Sequence, residues 1–286
     1  VGSGGLETVG SGGKTLATTV GAGGTEAVLY AGSASGTIIS GASAFQAVSA
    51  GGIALSATVL AGGSQTVAGN AGGGALSTFV GSGGTQYVLS DGRVSATSVG
   101  SGGTMDIFSG GAVSNTFVSA GGTETVFSGG LAFATAVSSG GSEFVLSGGT
   151  ESGAVVSGGG QLTVSSGGTL SNAKIVGAGT ITISAGSVVN SGLSFVSSGG
   201  TLGWGATGGT FGTTVSSFTV GDALDLTAIP FITSGTVTYS GTTLTITESG
   251  FTDKFVFAGG TTLPANAVWT WSSDGNGGTK LVLTHG

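Results

Sequence analysis

The sequence predicts an all-β fold, a parallel β-helix (β-solenoid) closed by a β-rich C-terminal cap. Three observations predict it. First, glycine pairs recur with a period of 19 over about the first two-thirds of the 286 residues. The second glycine of each pair marks the repeat: Gly5, Gly24, Gly63, Gly84, Gly103, Gly122, Gly141, Gly160 and Gly179, with Ala44 at one turn and two steps stretched to 20 and 21. Second, a β-branched residue stands four positions after every marker, from Val9 and Val28 through Ile107, Val126 and Val145 to Ile183. Third, a matching column stands four positions before the marker, including Val20, Val59, Val80, Val99, Val118, Val137, Val156 and Ile175. A fixed period of this size means stacked coils, each burying its neighbour's apolar face.

Each element follows from those columns. β-branched side chains suit strands and are poor in helices. A second glycine site, at Gly13, Gly32, Gly52, Gly92, Gly111, Gly130, Gly149 and Gly168, lies eight residues after the marker. Each coil therefore reads as two strand stretches separated by glycine corners, where positive φ lets the chain bend. A small-residue column (Thr18, Ala57, Thr78, Thr97, Thr116, Thr135, Ala154, Ala173) precedes the second valine column by two. A helix would need apolar residues every three to four positions. Collagen would need glycine at every third residue. A flexible linker would lack the valines. About ten coils, stacked at roughly 4.8 Å, give a rod on the order of 50 Å long.

The regularity fades after Gly179, although Val196 and Gly199–Gly200 resemble one more coil. All three tryptophans (Trp204, Trp269, Trp271) and both prolines (Pro230, Pro264) lie beyond Gly203. Residues 236–247 read as a hairpin around Ser240–Gly241, and 254–258, 267–272 and 279–284 read as further strands. The expected division is a solenoid over 1–203 and a cap over 204–286, because a solenoid end exposes an unpaired edge and an open core.

Charged residues are only 6% of the chain and the formal net charge is −7. The five basic residues (Lys14, Arg93, Lys174, Lys254, Lys280) are scattered, which argues against nucleic acid as a partner. There is no cysteine, which fits export in an unfolded state but also many other settings. No run of 18 apolar residues is present, so no membrane helix is expected. The chain opens at Val1 inside a repeat, as a fragment or processed product would.

The segments TFVSAGGTETVFSGG (116–130) and TAVSSGGSEFVLSGG (135–149) closely resemble the AIDA-type repeat of bacterial autotransporter adhesins, including self-associating ones. The resemblance covers about residues 1–200. It implies a right-handed β-helix on a bacterial surface, acting in adhesion, aggregation or biofilm formation. GDALDLT (221–227) and DGNGGTKLVLTHG (274–286) resemble segments that follow such repeats in large secreted bacterial proteins. The chain departs from the autotransporter pattern in carrying no membrane-barrel translocator.

Candidate chemistry is thin. Glu7, Glu26, Glu124 and Glu143 share one repeat position with Gln46, Gln65 and Gln86. This is a polar ladder rather than a catalytic constellation, and is expected to be solvated or amide-stacked, with a strand bend carrying it out of the core. Asp222, Asp225 and Asp274 could hold calcium, against the plainer reading of a turn with local hydrogen bonds. His285 is the only histidine and reads as a tail residue. No catalytic, cofactor or metal residues are assigned, and no cofactor is expected.

Large residues flank the first valine column: Tyr87, Leu89, Phe108, Phe127, Phe144 and Leu146. Neighbours on a strand face opposite sides, so these should point outward as a partner surface unless the cap or a bent strand covers them. The expected function is a non-enzymatic, extracellular or cell-surface structural and adhesive protein. Its expected partners are further copies of itself, joined by the flank or end to end, or surface glycans of a host or matrix. The alternative is a carbohydrate-binding or polysaccharide-cleaving β-helix.

Overall fold

A computed structural model describes residues 1–69, 73–81, 83–100, 102–138, 140–258 and 267–286. Among them there is no helix: the chain forms a right-handed parallel β-solenoid of about eleven coils. Identical repeat positions stack directly. Val9 pairs with Val28, and Val126 pairs with Val145, in parallel register. Pro264 lies outside the described residues.

Each coil carries three strands, not the two stretches expected from the glycine spacing. One coil runs Thr123–Val126, then Leu131–Phe133, then Ala136–Val137. These form the first, second and third walls of the tube. The first wall ends at a glycine-pair turn, and so does the third. Between the second and third walls the chain turns on a single residue at positive φ. That residue is rarely glycine: Ala17, Ser56, Ser77, Ala96, Asn115 and Ala134 all have φ between 52° and 58°. The left-handed region disfavours a Cβ, so every such corner stores strain that the stacked ladder sustains.

The glycine pairs divide two tasks. Gly121 adopts φ 80° and has open space around it. Gly122 needs no positive φ, but a Cβ there would overlap the Val99 carbonyl of the coil beneath. The turn backbones are themselves laddered, with Gly110 N donating to Gly129 O and Gly129 N to Gly148 O at 2.9 and 2.8 Å. Gly121→Ala should therefore cost about 1 kcal/mol, the penalty of αL. Gly122→Ala should cost about 3 kcal/mol, because a packed backbone must move. Chemical denaturation of the two variants checks the order; equal losses would contradict it.

The inward columns make one continuous core. Val118, Val126, Val137 and Val145 are fully buried. From residue 169 the second and third walls fuse into single strands, Thr169–Val176 and Val188–Ser197, which keep the corner at Asn172 (φ 53°) and Ser191 (φ 57°). First-wall strands stay parallel as far as Ala223–Leu226, where Thr279–His285 adds antiparallel. Ala267–Ser273 is its antiparallel neighbour at the sheet edge.

On the other side, Thr236–Ser240, Thr243–Glu248 and Phe251–Phe257 form an antiparallel meander whose last strand joins the solenoid sheet. The turn of the hairpin sits at Gly241–Thr242, one residue later than expected. Large rings fill this end: Phe195 meets Phe218 at 4.9 Å and Trp204 meets Phe211 at 5.1 Å, both edge to face. Aromatic pairs favour this arrangement.

Candidate interaction surface

The core contains a polar spine. The Glu/Gln column points inward, as simple alternation along a strand dictates, and no bend carries it out. Glu26, Gln46, Gln65, Gln86, Glu124 and Glu143 are fully buried, and only Glu7 at the first coil is half-exposed. The expectation of a solvated column is thus overturned, while that of stacked amides holds. Gln46 Nε2 donates to Glu26 Oε2, Gln65 Nε2 to Gln46 Oε1 and Gln86 Nε2 to Gln65 Oε1, each at 2.6 Å. The small-residue column supplies further donors. Thr37 Oγ1 bonds Glu26 at 3.0 Å, Thr78 bonds Gln65 at 3.3 Å and Thr97 bonds Gln86 at 3.2 Å. Thr15 adds a third donor to Glu26 at 3.1 Å. Buried polar groups persist only when so paired.

Side-chain volume explains the rest of the interior. In the coils of Glu26, Gln46, Gln65 and Glu124 the second wall sends in alanine (Ala34, Ala54, Ala75 and Ala132), whereas the coil of Gln86 sends in Val94 and that of Glu143 sends in Glu151. Where the first wall turns apolar at Leu162, the second supplies Leu170 and the threonine column becomes Ala173.

One level breaks the pattern of satisfaction. Glu124 and Glu143 are stacked neighbours, and Glu151 enters from the second wall. All three are fully buried. The Thr135 hydroxyl, with a single proton to donate, lies between Glu124 at 3.5 Å and Glu151 at 3.4 Å, and Thr135 N donates to Glu151 Oε1 at 3.4 Å, yet neither oxygen of Glu143 accepts a hydrogen bond, nor does Glu124 Oε2. Desolvation pushes Glu124 and Glu143 well above the usual carboxylate range, and the charge of Glu151 pushes both further. Glu151 itself is raised by burial to about 7. Sequence reading passed over Glu151 because it belongs to neither valine-flanking column.

The outward face bears the aromatic residues. The six residues singled out form two columns rather than one stripe, and neither the cap nor a bent strand covers them. Leu89, Phe108, Phe127 and Leu146 follow the buried column and stack without interruption; Phe108 and Phe127 lie 4.7 Å apart with planes 7° from parallel. Tyr87 and Phe144 share the other column, separated by Asp106 and Thr125. Tyr87 still approaches Phe108 at 6.3 Å. Phe144 is 38% exposed and the other five are half-buried. Phe108 and Phe127 cover one ring face of each other.

The second and third walls carry an apolar surface that sequence reading missed. Ile53, Leu76, Phe79, Phe117, Leu131 and Phe133 are all exposed. The signal was present in triplets such as Leu131–Ala132–Phe133, where a small inward residue sits between two large outward ones. The exposed residues do not form one unbroken column: Ser98 lies between Phe79 and Phe117, and Ser95 and Ser114 lie between Leu76 and Phe133.

Of the C-terminal acids, Asp222 and Asp274 make local bonds, and Asp225 Oδ1 is buried without a partner. Asp222 accepts from Thr219 N at 2.8 Å and Gly200 N at 3.1 Å. Asp274 Oδ1 accepts from Asn276 N and Gly278 N, both at 2.7 Å, closing its turn. Burial raises Asp225, the charge of Asp274 adds to this, and Lys280 opposes it. His285 is exposed at the end of the last strand. Among the described residues no three His, Asp or Glu side chains gather as a metal site, and no helix is long and apolar enough to cross a membrane.

No protein-family model matches the chain, and no curated protein does. Among solved structures, the TibC-catalysed hyper-glycosylated fragment of TibA is 34% identical, with a TM-score of 0.58 over 75% of this chain and 81% of that one. The Dettilon tailspike protein aligns with 99% of this chain and 81% of its own, at 10% identity and a TM-score of 0.27, too loosely to bear on function.

Proposed function

Because this chain belongs to the AIDA-type repeat passengers of autotransporter adhesins, we propose that it is a non-catalytic adhesive rod of a bacterial surface that associates with further copies through its flanks. The observation that carries the reading is the pairing of a continuously stacked β-ladder with uncovered apolar side chains on its outer walls. A ladder repeats each weak contact along its length, so avidity exceeds any one contact. With 17 charged residues in 286, association has little electrostatic steering to draw on. The antiparallel strands at the C-terminal end act as a cap, which favours flank contact over end-to-end joining.

Static light scattering against protein concentration tests the reading. Wild type should associate equally at low and molar salt, and Phe108→Ser with Phe127→Ser should weaken association about tenfold or more. Association abolished by salt, or untouched by the double substitution, would count against the flank. The non-catalytic part is checked with a panel of acidic and neutral polysaccharides, which should yield no new reducing ends or unsaturated products. Turnover lost in Asp222→Ala or Asp225→Ala would instead establish an enzyme.

A further inference from the structure

The second wall has a notch whose chemistry differs from the apolar surface around it. Its third outward position reads Leu55, Leu76, Ser95, Ser114, Phe133, Ser152 up the rod. Two serines in succession leave a gap three steps wide between Leu76 and Phe133, about 14 Å along the axis. The resulting notch holds about 220 Å³ and is lined by Arg93, Ser95, Ala112, Ser114 and Phe133 over the inward Ala75, Val94 and Val113.

Three features of the notch point to one ligand class. Arg93 is the only arginine of the chain. It is exposed, with Gly74 below it and Ala112 above, so no neighbouring rung crowds its guanidinium. Among the described residues no carboxylate pairs with it. Ser114 Oγ donates to Ser95 Oγ at 3.1 Å, which leaves the Ser95 hydroxyl proton to a ligand. Phe133 is 42% exposed and its neighbours on the ladder are Ser114 and Ser152. Unlike Phe108 and Phe127, it has no aromatic ring stacked on it among the described residues.

A flat apolar face, a hydroxyl pair and one unpaired guanidinium match a pyranose carrying a carboxylate. The sugar's C–H face lies on a ring, its hydroxyls meet hydroxyls, and guanidinium takes a carboxylate through two parallel hydrogen bonds. We propose that the notch between Leu76 and Phe133 is a subsite for one uronic-acid-type sugar residue, with the carboxylate on Arg93 and the ring on Phe133. The proposal rests on the adhesive reading above and adds a saccharide partner to it. A second copy of the chain is the competing occupant, since its outward Asp91 or Asp106 could meet Arg93.

Trigalacturonate is the probe, and the neutral trisaccharide of galactose is its control. Binding is read by calorimetry or saturation-transfer NMR, and association by light scattering on the same samples. Wild type should bind trigalacturonate at least about tenfold more tightly than the neutral sugar, a difference of about 1.4 kcal/mol. Arg93→Gln should remove that preference, Phe133→Ala should weaken both sugars, and neither should change the β-sheet circular dichroism. Equal binding of the two sugars, or unaltered binding by Arg93→Gln, would overturn the subsite. Absence of saccharide binding with association intact would overturn it while leaving the adhesive reading in place. Loss of association in Arg93→Gln, with no saccharide binding by wild type, would assign the notch to a second copy.

Discussion

Raising the pH from below 4.5 to above 7 should lower the stability of this protein steeply. Glu124, Glu143 and Glu151 each have a folded pKa above the ordinary 4.5, because burial disfavours their charged forms. Their contribution is fully present below the unfolded value of 4.5, where both states are protonated. It is lost as pH rises, because the unfolded chain releases protons that the folded chain still holds. Glu151, raised to about 7, accounts for roughly 3 kcal/mol of loss by the time the pH passes that value. Glu124 and Glu143, held higher, continue to steepen the fall beyond it. Glu143→Gln should flatten the curve and raise stability at neutral pH, since glutamine occupies the same column at Gln46, Gln65 and Gln86 without penalty. Thermal midpoints measured across this range check the slope; a midpoint that rises with pH would contradict the protonated cluster.

The second large effect is expected from Val126→Asp. Val126 is fully buried and stacked between Ile107 and Val145, so the carboxylate would have no donor in reach. Burying an unpaired charge costs about 4 kcal/mol or more. The cost falls in the middle of a ladder where each coil depends on its neighbours, so adjacent coils should open with it. Thr123→Asp on the same strand points outward between Thr104 and Ser142 and should change stability by less than about 1 kcal/mol. Acid should rescue Val126→Asp in part, by neutralising the carboxyl. Hydrogen exchange localises the loss: protection should fall first around residues 104–145. Similar behaviour of the two substitutions would overturn the inward assignment of the valine column.

The valine columns were legible because their period is the coil itself, and every copy repeats the same inward position. The polar spine was legible in the same alternation, which placed Glu26 and Gln46 inward beside Val28 and Val48. It was read outward because an isolated carboxylate does not belong in a core. What makes it tolerable is the cross-coil chain of amides and the threonine hydroxyls, which are contacts between residues 11 to 21 positions apart. The third strand of each coil was hidden because its corner residue is Ala, Ser or Asn where a turn usually announces itself with glycine. Of the outer surface, Phe108 and Phe127 stood out beside a valine column. Leu131 and Phe133 did not, since the inward residue between them is as small as Ala132.

Single-cysteine crosslinking tests the central claim of flank association most directly, because the chain has no cysteine of its own. Thr125→Cys places a thiol on the outward face between Asp106 and Phe144. Asn276→Cys places one on the exposed turn at the C-terminal end. Under mild oxidation at a concentration where wild type associates, Thr125→Cys should form disulfide-linked dimers and Asn276→Cys should remain monomeric. Dimers formed by Asn276→Cys and not by Thr125→Cys would contradict flank association and assign the contact to the end of the rod.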